Sequence, residues 1–375
     1  MEPPGPTGLR LAHGDVAGAC GAKDALPADA RVVPSFEAMQ LDVDLQIDLF
    51  NAVREENMPD GRVLAQLHGT RYVLQHPPLV PSTQEEVDEY YDLPYRREWH
   101  PDHAAAGGVP ALEAVRWSIN THRGCLADCT FCSITFHQGR AVQSRSTESV
   151  LREAAALAAH HDFRGTITDV GGPTANMWGM GCKLLEAGKG CLDRDCLSPD
   201  VCPALRVDAA SEGYRRLLSV VARTKGIKHT FVSSGIRYDL LRSRKSRTEG
   251  ELLPLHEQLV KDHTSGRMKL APEHASPAVL AAMNKPSFER YEAFVKKFEQ
   301  VNARLKNKKF LVNYFISAHP GSHLENALSC ATKLLSHHMR PEQVQDFIPL
   351  PMTVSSCLYH TGVHPFTGEH VYIPK

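Results

Sequence analysis

From Trp117 onward, short β-branched and apolar runs alternate with longer stretches whose apolar residues recur every three or four positions. The short runs are WSINT (117–121), TITDV (166–170), HTFVS (229–233), RMKLA (267–271), FLVNYFI (310–316) and VQDFIP (344–349), and they read as strands. The spaced stretches predict helices over 148–160, 212–224, 250–263, 277–305 and 322–338. A helix in every gap between six strands predicts parallel βα units, either an open doubly wound sheet or a partial barrel. Upstream the pattern differs. Phe36, Met39, Val43, Ile47 and Phe50 recur at helical spacing, VLAQL and TRYVL predict a hairpin turning at His68 and Gly69, and Ser82 with Glu85 has the form of a capping box. Residues 1–33, rich in Gly, Pro and Ala without periodicity, read as disordered.

In both α/β architectures ligands gather at the carboxyl ends of the strands. The unusual residues of this chain fall there: THRGCLADCTFC after the first strand, GGPTAN after the second, SGIR after the third, PEHAS after the fourth and SAHPGS after the fifth.

Composition removes several classes of function. The formal net charge of -1 over 375 residues gives no bulk field toward nucleic acid or an anionic membrane. No apolar stretch is long enough to span a bilayer and the start lacks the form of a secretory signal, so the sequence reads as cytoplasmic. In that compartment, clustered cysteines among the ten point to metal ligation rather than to disulfides. Cys125, Cys129 and Cys132 form one group and Cys182, Cys191, Cys196 and Cys202 another. Cys20, Cys330 and Cys357 stand alone and read as buried or inert thiols.

Three chemistries compete for the first group: a structural zinc completed by a distant ligand, a redox pair at Cys129 and Cys132, and an iron–sulfur cluster on three thiolates. Three thiolates on four irons leave one iron open to a substrate or cofactor. S-adenosylmethionine can fill that position through its amino and carboxylate groups, beside a low-potential electron donor.

The group Cys125, Cys129, Phe131 and Cys132 resembles the Cys-x3-Cys-x-aromatic-Cys motif of the radical SAM superfamily, and it sits where that superfamily places it. DVGGPTANM, THRGC, TFHQGRAVQSRS, SGIRYDLL, LAPEH, YFISAHPGS and HPFTGEHVYIPK resemble the YgiQ family of radical SAM proteins over about residues 34 to 375. The resemblance implies a partial (β/α)6 barrel over 111–375 with a Cys-rich insertion at 177–205, preceded by a small α+β extension over 34–110. It implies a [4Fe-4S] cluster on Cys125, Cys129 and Cys132, and S-adenosylmethionine at Gly171, Gly172, Ser234, Arg237 and Glu273. A flavodoxin or ferredoxin is the expected electron donor, and FISAHPGS is expected to lie against adenine. Members of that family carry more sequence on both sides, including an N-terminal domain resembling cobalamin-binding folds, so this chain reads as a truncated or split form.

Each residue also has a plainer reading. Arg237 fits a methionyl carboxylate or a structural ion pair; Ser233 and Ser234 fit the same carboxylate or turn-forming hydrogen bonds. Glu273 fits the ribose hydroxyls or a salt bridge to a basic neighbour. His122, His137, His274 and His319 fall in strand-end loops, as proton donors or as ordinary hydrogen-bonded side chains. The four cysteines of the insertion read as zinc ligands, as ligands of an auxiliary iron–sulfur cluster or as reduced thiols. The basic runs 240–247 and 304–309 lack aromatics and read as solvated faces rather than RNA sites. A non-catalytic metal protein and a fragment of a larger enzyme are the rival readings of the whole.

Overall fold

A computed structural model describes residues 18–20, 26–186, 195–198, 200–242 and 252–374. Its N-terminal part is a four-stranded sheet in the order β1-β4-β3-β2. Strands β1 (Gly18–Cys20) and β2 (Arg31–Val33) are followed by helices α1 (Phe36–Leu41) and α2 (Leu45–Glu56), then by β3 (Leu64–His68) and β4 (Arg71–Gln75). Both β1 and β2 lie in the stretch read as disordered. Sequence periodicity misses them because each is three residues long and is ordered by its partner strand. The helical run breaks at Asp42, so Met39 and Phe50 are buried from two helices rather than one. The hairpin forms one residue later than expected: His68 pairs with Arg71, leaving Gly69 and Thr70 as the turn, with Gly69 at φ +57°.

Helix α3 (Gln84–Tyr91) starts with a capping box at Thr83 and Glu86, not at Ser82 and Glu85. The Glu86 N–H donates to Thr83 Oγ1 at 3.2 Å and the Thr83 N–H to Glu86 Oε2 at 3.0 Å. The Ser82 N–H is taken by Gln143 Oε1 at 2.8 Å, a tertiary partner invisible to local pattern. A short helix α4 (Ala111–Val115) leads into the larger part.

There the strands and helices alternate as expected: β5 (Ser118–Asn120), β6 (His122–Arg123), α5 (Ile134–Gln138), β7 (Gln143–Ser144), α6 (Thr147–Ala159), β8 (Thr166–Ile167), β9 (Asp169–Gly171), α7 (Lys183–Glu186), α8 (Val207–Ala222), β10 (His229–Thr230) and α9 (Pro254–Asp262). Then come β11 (Arg267–Glu273), α10 (Pro277–Ala282), α11 (Phe288–Arg304), β12 (Phe310–Ser317), α12 (Leu324–Ser336), β13 (Gln343–Asp346) and α13 (Val354–Thr361).

Pairings β5 with β9, β8 with β10, β11 with β12 and β12 with β13 are all parallel. Single hydrogen bonds, Val232 N–H to the His263 carbonyl at 2.8 Å and Ile236 N–H to the Lys269 carbonyl at 3.3 Å, carry the layer from β10 toward β11. The result is a mixed α/β architecture whose parallel layer stays open, a partial barrel of the radical SAM type. Its core lies between strands and helices, with Ile119, Ile167, Val170 and Leu270 facing Leu157, Tyr214, Leu218, Leu259, Tyr291 and Phe294. Full burial of each large apolar side chain contributes about 1.5–3 kcal/mol.

Two differences from the sequence reading bear on function. The expected helix 277–305 is two helices, because Asn284 adopts φ +53° and Pro286 cannot supply the next helical donor. Helix α13 is absent from the sequence reading. It is capped by Thr353, whose Oγ1 accepts from the Ser356 N–H, and it packs Val354, Cys357 and Leu358 against Phe50 of α2. Cys330 and Cys357 are buried, and burial raises both thiols, Cys357 to about 11. Among the described residues no helix is long and apolar enough to cross a membrane.

Candidate metal centre

The loop between β6 and α5 is shaped by its backbone before any thiol is considered. Gly124 has φ +83°, and a Cβ there would meet the Ala141 carbonyl oxygen at 2.0 Å, so only glycine fits. The Cys125 N–H donates to the Gly139 carbonyl at 3.2 Å and the Cys132 N–H to the Cys129 carbonyl at 3.0 Å. Between the second and third cysteines, Thr130 is held from several directions. Its N–H donates to the Met283 carbonyl at 3.2 Å, its hydroxyl to the Ala282 carbonyl at 2.7 Å, and its carbonyl accepts from the Ser355 N–H at 2.9 Å. Ser355 Oγ lies 2.9 Å from Thr130 Oγ1 and 2.7 Å from His319 Nε2. Asn284 Nδ2 donates to the Asp128 carbonyl at 2.9 Å. The break between α10 and α11 and the start of α13 therefore clamp this loop.

Cys125 is buried, while Cys129 and Cys132 are half-buried. Burial raises the Cys125 thiol and pushes Cys132 up to about 11. These two thiols are therefore protonated in the bare chain at neutral pH, and ligation of metal releases protons. Among the described residues, one group of three metal-ligating types has its ligand atoms all within 4.8 Å of one another: His160, His161 and Asp162. The three sulfurs of Cys125, Cys129 and Cys132 are therefore not all within 4.8 Å of one another. Three thiols on one pinned loop are a donor set for a multi-iron cluster with one iron open, or for a zinc ion completed by a fourth ligand.

The other candidates surround this loop. Gly171 and Gly172 are packing glycines: a Cβ on the first would come 2.7 Å from Ser234 Oγ, and on the second 2.5 Å from the His122 ring. Ser234 donates its hydroxyl to Asp169, which also accepts from the Ser233 and Ser234 N–H groups at 2.8 and 3.1 Å. The turn-forming reading of these serines is therefore present. Arg237 is buried, with Nε and Nη2 on Asp239 at 2.8 and 2.6 Å and Nη1 3.8 Å from Cys129 Sγ. Burial opposes both charges, yet each holds the other ionised, Arg237 above and Asp239 below its ordinary value.

Glu273 ends β11 at φ +67° and is buried, its Oε1 3.5 Å from Lys285 Nζ. Burial raises its carboxyl despite Lys285. The strained backbone marks a position held by its surroundings. Beside it, Phe131, Ala271, Tyr314, Ile316, Phe347 and Leu350 line a largely apolar cavity of about 330 Å³.

The four histidines separate. His122, His274 and His319 are buried and pushed down to about 4 by desolvation, while His137 is exposed in the last turn of α5. Of the second cysteine group, Cys191 lies outside the described residues. Cys182, Cys196 and Cys202 pack among Met180, Leu197 and Leu205, against Cys125 and Leu126 of the first loop, and their sulfurs are not all within 4.8 Å of one another. In the basic runs, Lys309 Nζ donates to the Thr264 carbonyl at 2.6 Å and Arg304 pairs with Glu257 at 2.6 Å; residues 243–247 lie outside the described residues. Sequence reasoning missed Asp169, Asn176, Asp239 and Lys285. Asp239 stands two residues after Arg237, and Asn176 exchanges hydrogen bonds of 2.9 Å with the Arg237 backbone, so both were within reach of a search for partners of Arg237.

With this loop at the end of the first core strand of an open parallel layer, the class is that of the radical SAM fold. Residues 119–326 match the radical SAM superfamily and residues 11–118 the radical SAM N-terminal family. The chain belongs to the radical SAM superfamily. Among curated relatives, a UPF0313 protein of Clostridium botulinum (strain Okra / Type B1) is 42% identical over 344 residues, covering 92% of this chain and 52% of its own length. A UPF0313 protein of Methanosarcina acetivorans is 44% identical over 347 residues, covering 92% and 45%. The chain spans about half the length of these relatives. The radical S-adenosylmethionine methyltransferase TsrM from Kitasatospora setae, solved with cobalamin and a [4Fe-4S] cluster, is 16% identical at a TM-score of 0.46, covering 78% of this chain and 48% of that one.

Proposed function

We propose that this chain is a radical SAM enzyme of the YgiQ type, holding a [4Fe-4S] cluster on Cys125, Cys129 and Cys132 and S-adenosylmethionine at the open iron. The observation that carries the reading is the set of three thiols on a loop clamped at Thr130, within a superfamily match over residues 119–326. When bound, the cluster and S-adenosylmethionine supply one-electron reduction of the sulfonium, releasing a 5′-deoxyadenosyl radical that abstracts hydrogen from a substrate.

The chain's own residues divide the remaining tasks. Thr130, Asn284 and Ser355 keep the thiol-bearing backbone in place. Gly171 and Gly172 keep the loop after β9 close against Ser234 and His122, leaving its backbone groups to meet the methionyl end. Glu273, with Oε1 toward Lys285, offers its carboxylate to the ribose hydroxyls. The cavity of Phe131, Tyr314, Ile316 and Phe347 takes the adenine and excludes water. In this reading the electron comes from a soluble reductant of the flavodoxin or ferredoxin kind, and the protein is cytoplasmic.

Anaerobic reconstitution with iron and sulfide, followed by reduction with S-adenosylmethionine present, tests the proposal. Formation of 5′-deoxyadenosine with a cluster EPR signal that changes on adding S-adenosylmethionine is the expected result. A cluster without cleavage makes the chain a non-catalytic iron–sulfur protein, and zinc alone removes the reading.

A further inference from the structure

The Arg237 guanidinium is fixed more tightly than a carboxylate receptor needs. Its Nε and Nη2 are both engaged by Asp239, at 2.8 and 2.6 Å, and its backbone is tied on both sides by Asn176 at 2.9 Å. The side chain is buried, and so is Asp239. One nitrogen remains, Nη1, and it lies 3.8 Å from Cys129 Sγ. With its side-on pair closed on Asp239, the guanidinium keeps three N–H donors, two on Nη1 and one on Nη2, and Nη1 is the nitrogen that meets the cysteine loop.

We infer that Arg237 donates from Nη1 to the Cys129 thiolate of the bound cluster, with Asp239 as the positioning residue that aims it, so that this pair sets the cluster's affinity for an electron. The inference rests on the radical SAM reading above and assigns Nη1 of Arg237 to the thiolate. Its physical basis is general. An N–H directed at a ligating sulfur, on a group that keeps its full charge, withdraws electron density from the iron and favours the reduced state. A low-dielectric surrounding strengthens that effect, and the neighbouring carboxylate offsets part of it. A purely structural ion pair would be satisfied by Asp239 alone and would leave Nη1 no reason to sit at a ligand thiol.

Two variants of the whole chain, Arg237→Lys and Asp239→Asn, separate this role from a structural one. Each is reconstituted anaerobically beside wild type, without S-adenosylmethionine, and titrated with dithionite, which supplies the one electron each cluster takes, while EPR follows the reduced state. Lysine keeps a charge beside Asp239 but cannot reach both partners. At the wild-type midpoint potential the reduced-to-oxidised ratio of Arg237→Lys should fall tenfold or more, about 59 mV for a one-electron couple. Asp239→Asn removes the offsetting charge and should raise the same ratio. Opposite signs are the signature of the pair. Equal midpoints, shifts of the same sign, or loss of iron from Arg237→Lys beside an unshifted Asp239→Asn overturn the inference while leaving the radical SAM reading intact. Failure of the wild-type chain itself to take up a cluster overturns that reading, and the inference with it.

Discussion

The chain carries two cysteine groups that pack against each other, and their loops are held differently. Around Cys125, Cys129 and Cys132 the backbone is pinned by Gly124, by Thr130 and by segments from three distant parts of the sequence, with Arg237 aimed at one thiol. Cys182, Cys196 and Cys202 instead lie among Leu197, Leu205 and Met180 and behave as small apolar side chains. The Cys202 N–H donates to the Cys196 carbonyl at 2.8 Å, a local turn. A count of cysteines does not identify a site. What distinguishes the first group is a loop backbone held by hydrogen bonds from other parts of the fold.

The sharpest way to break this contrast is to exchange serine for cysteine in each group. Cys129→Ser should abolish iron binding after anaerobic reconstitution, read as iron per chain and loss of visible absorbance, whereas Cys196→Ser should keep wild-type iron. Equal losses would make the second group a metal site as well.

Acid should act next most strongly, through the strand ends. His122, His274 and His319 are held neutral, their values lowered by burial to about 4 from the ordinary 6.5. A histidine lowered in the folded state binds fewer protons there than when unfolded. Its contribution is complete above about pH 6.5 and is lost as pH falls toward 4. Denaturant unfolding should show stability dropping by several kcal/mol across that window, since each tenfold loss of proton affinity on folding is worth about 1.4 kcal/mol. His274→Gln should flatten the drop, and an unchanged profile would remove that histidine from the account.

A change beside the first group should read out on the cofactor alone. Glu273→Ala should leave iron content intact and weaken S-adenosylmethionine binding by about 1.5–3 kcal/mol, measured by calorimetric titration. Wild-type affinity would remove Glu273 from the site. Thr130→Val removes the hydroxyl from the Ala282 carbonyl and from Ser355 and should cost about 1–3 kcal/mol of folding stability, with faster loss of iron to a chelator. The smallest effect belongs to the second group: Cys202→Ala should cost about 0.5–1.5 kcal/mol, the scale of losing one small buried group, with iron unchanged.

Much of the fold is legible along the chain because its cause is local. Strands such as RMKLA and helices such as 148–160 bury one periodic face, and the βα alternation forces a parallel layer. The helix expected over 277–305 is instructive in failing: Asn284 and Pro286 were visible, yet only the contact of that break with Asp128 and Thr130 shows what it does. Helix α13 was missed because its apolar face is short and is completed by Phe50, some three hundred positions earlier.

By itself the sequence determined the thiol spacing, the place of that loop after the first core strand and the glycines that no side chain can replace, since each follows from covalent order and steric limits. Only the tertiary structure decided that Arg237 is closed on Asp239 with Nη1 turned to Cys129, that Glu273 meets Lys285, and that Ser355 and Ala282 hold Thr130. The reason is physical. A buried polar group takes whichever partner the fold brings within hydrogen-bond distance, and for Thr130 and Cys129 those partners come from separate parts of the chain.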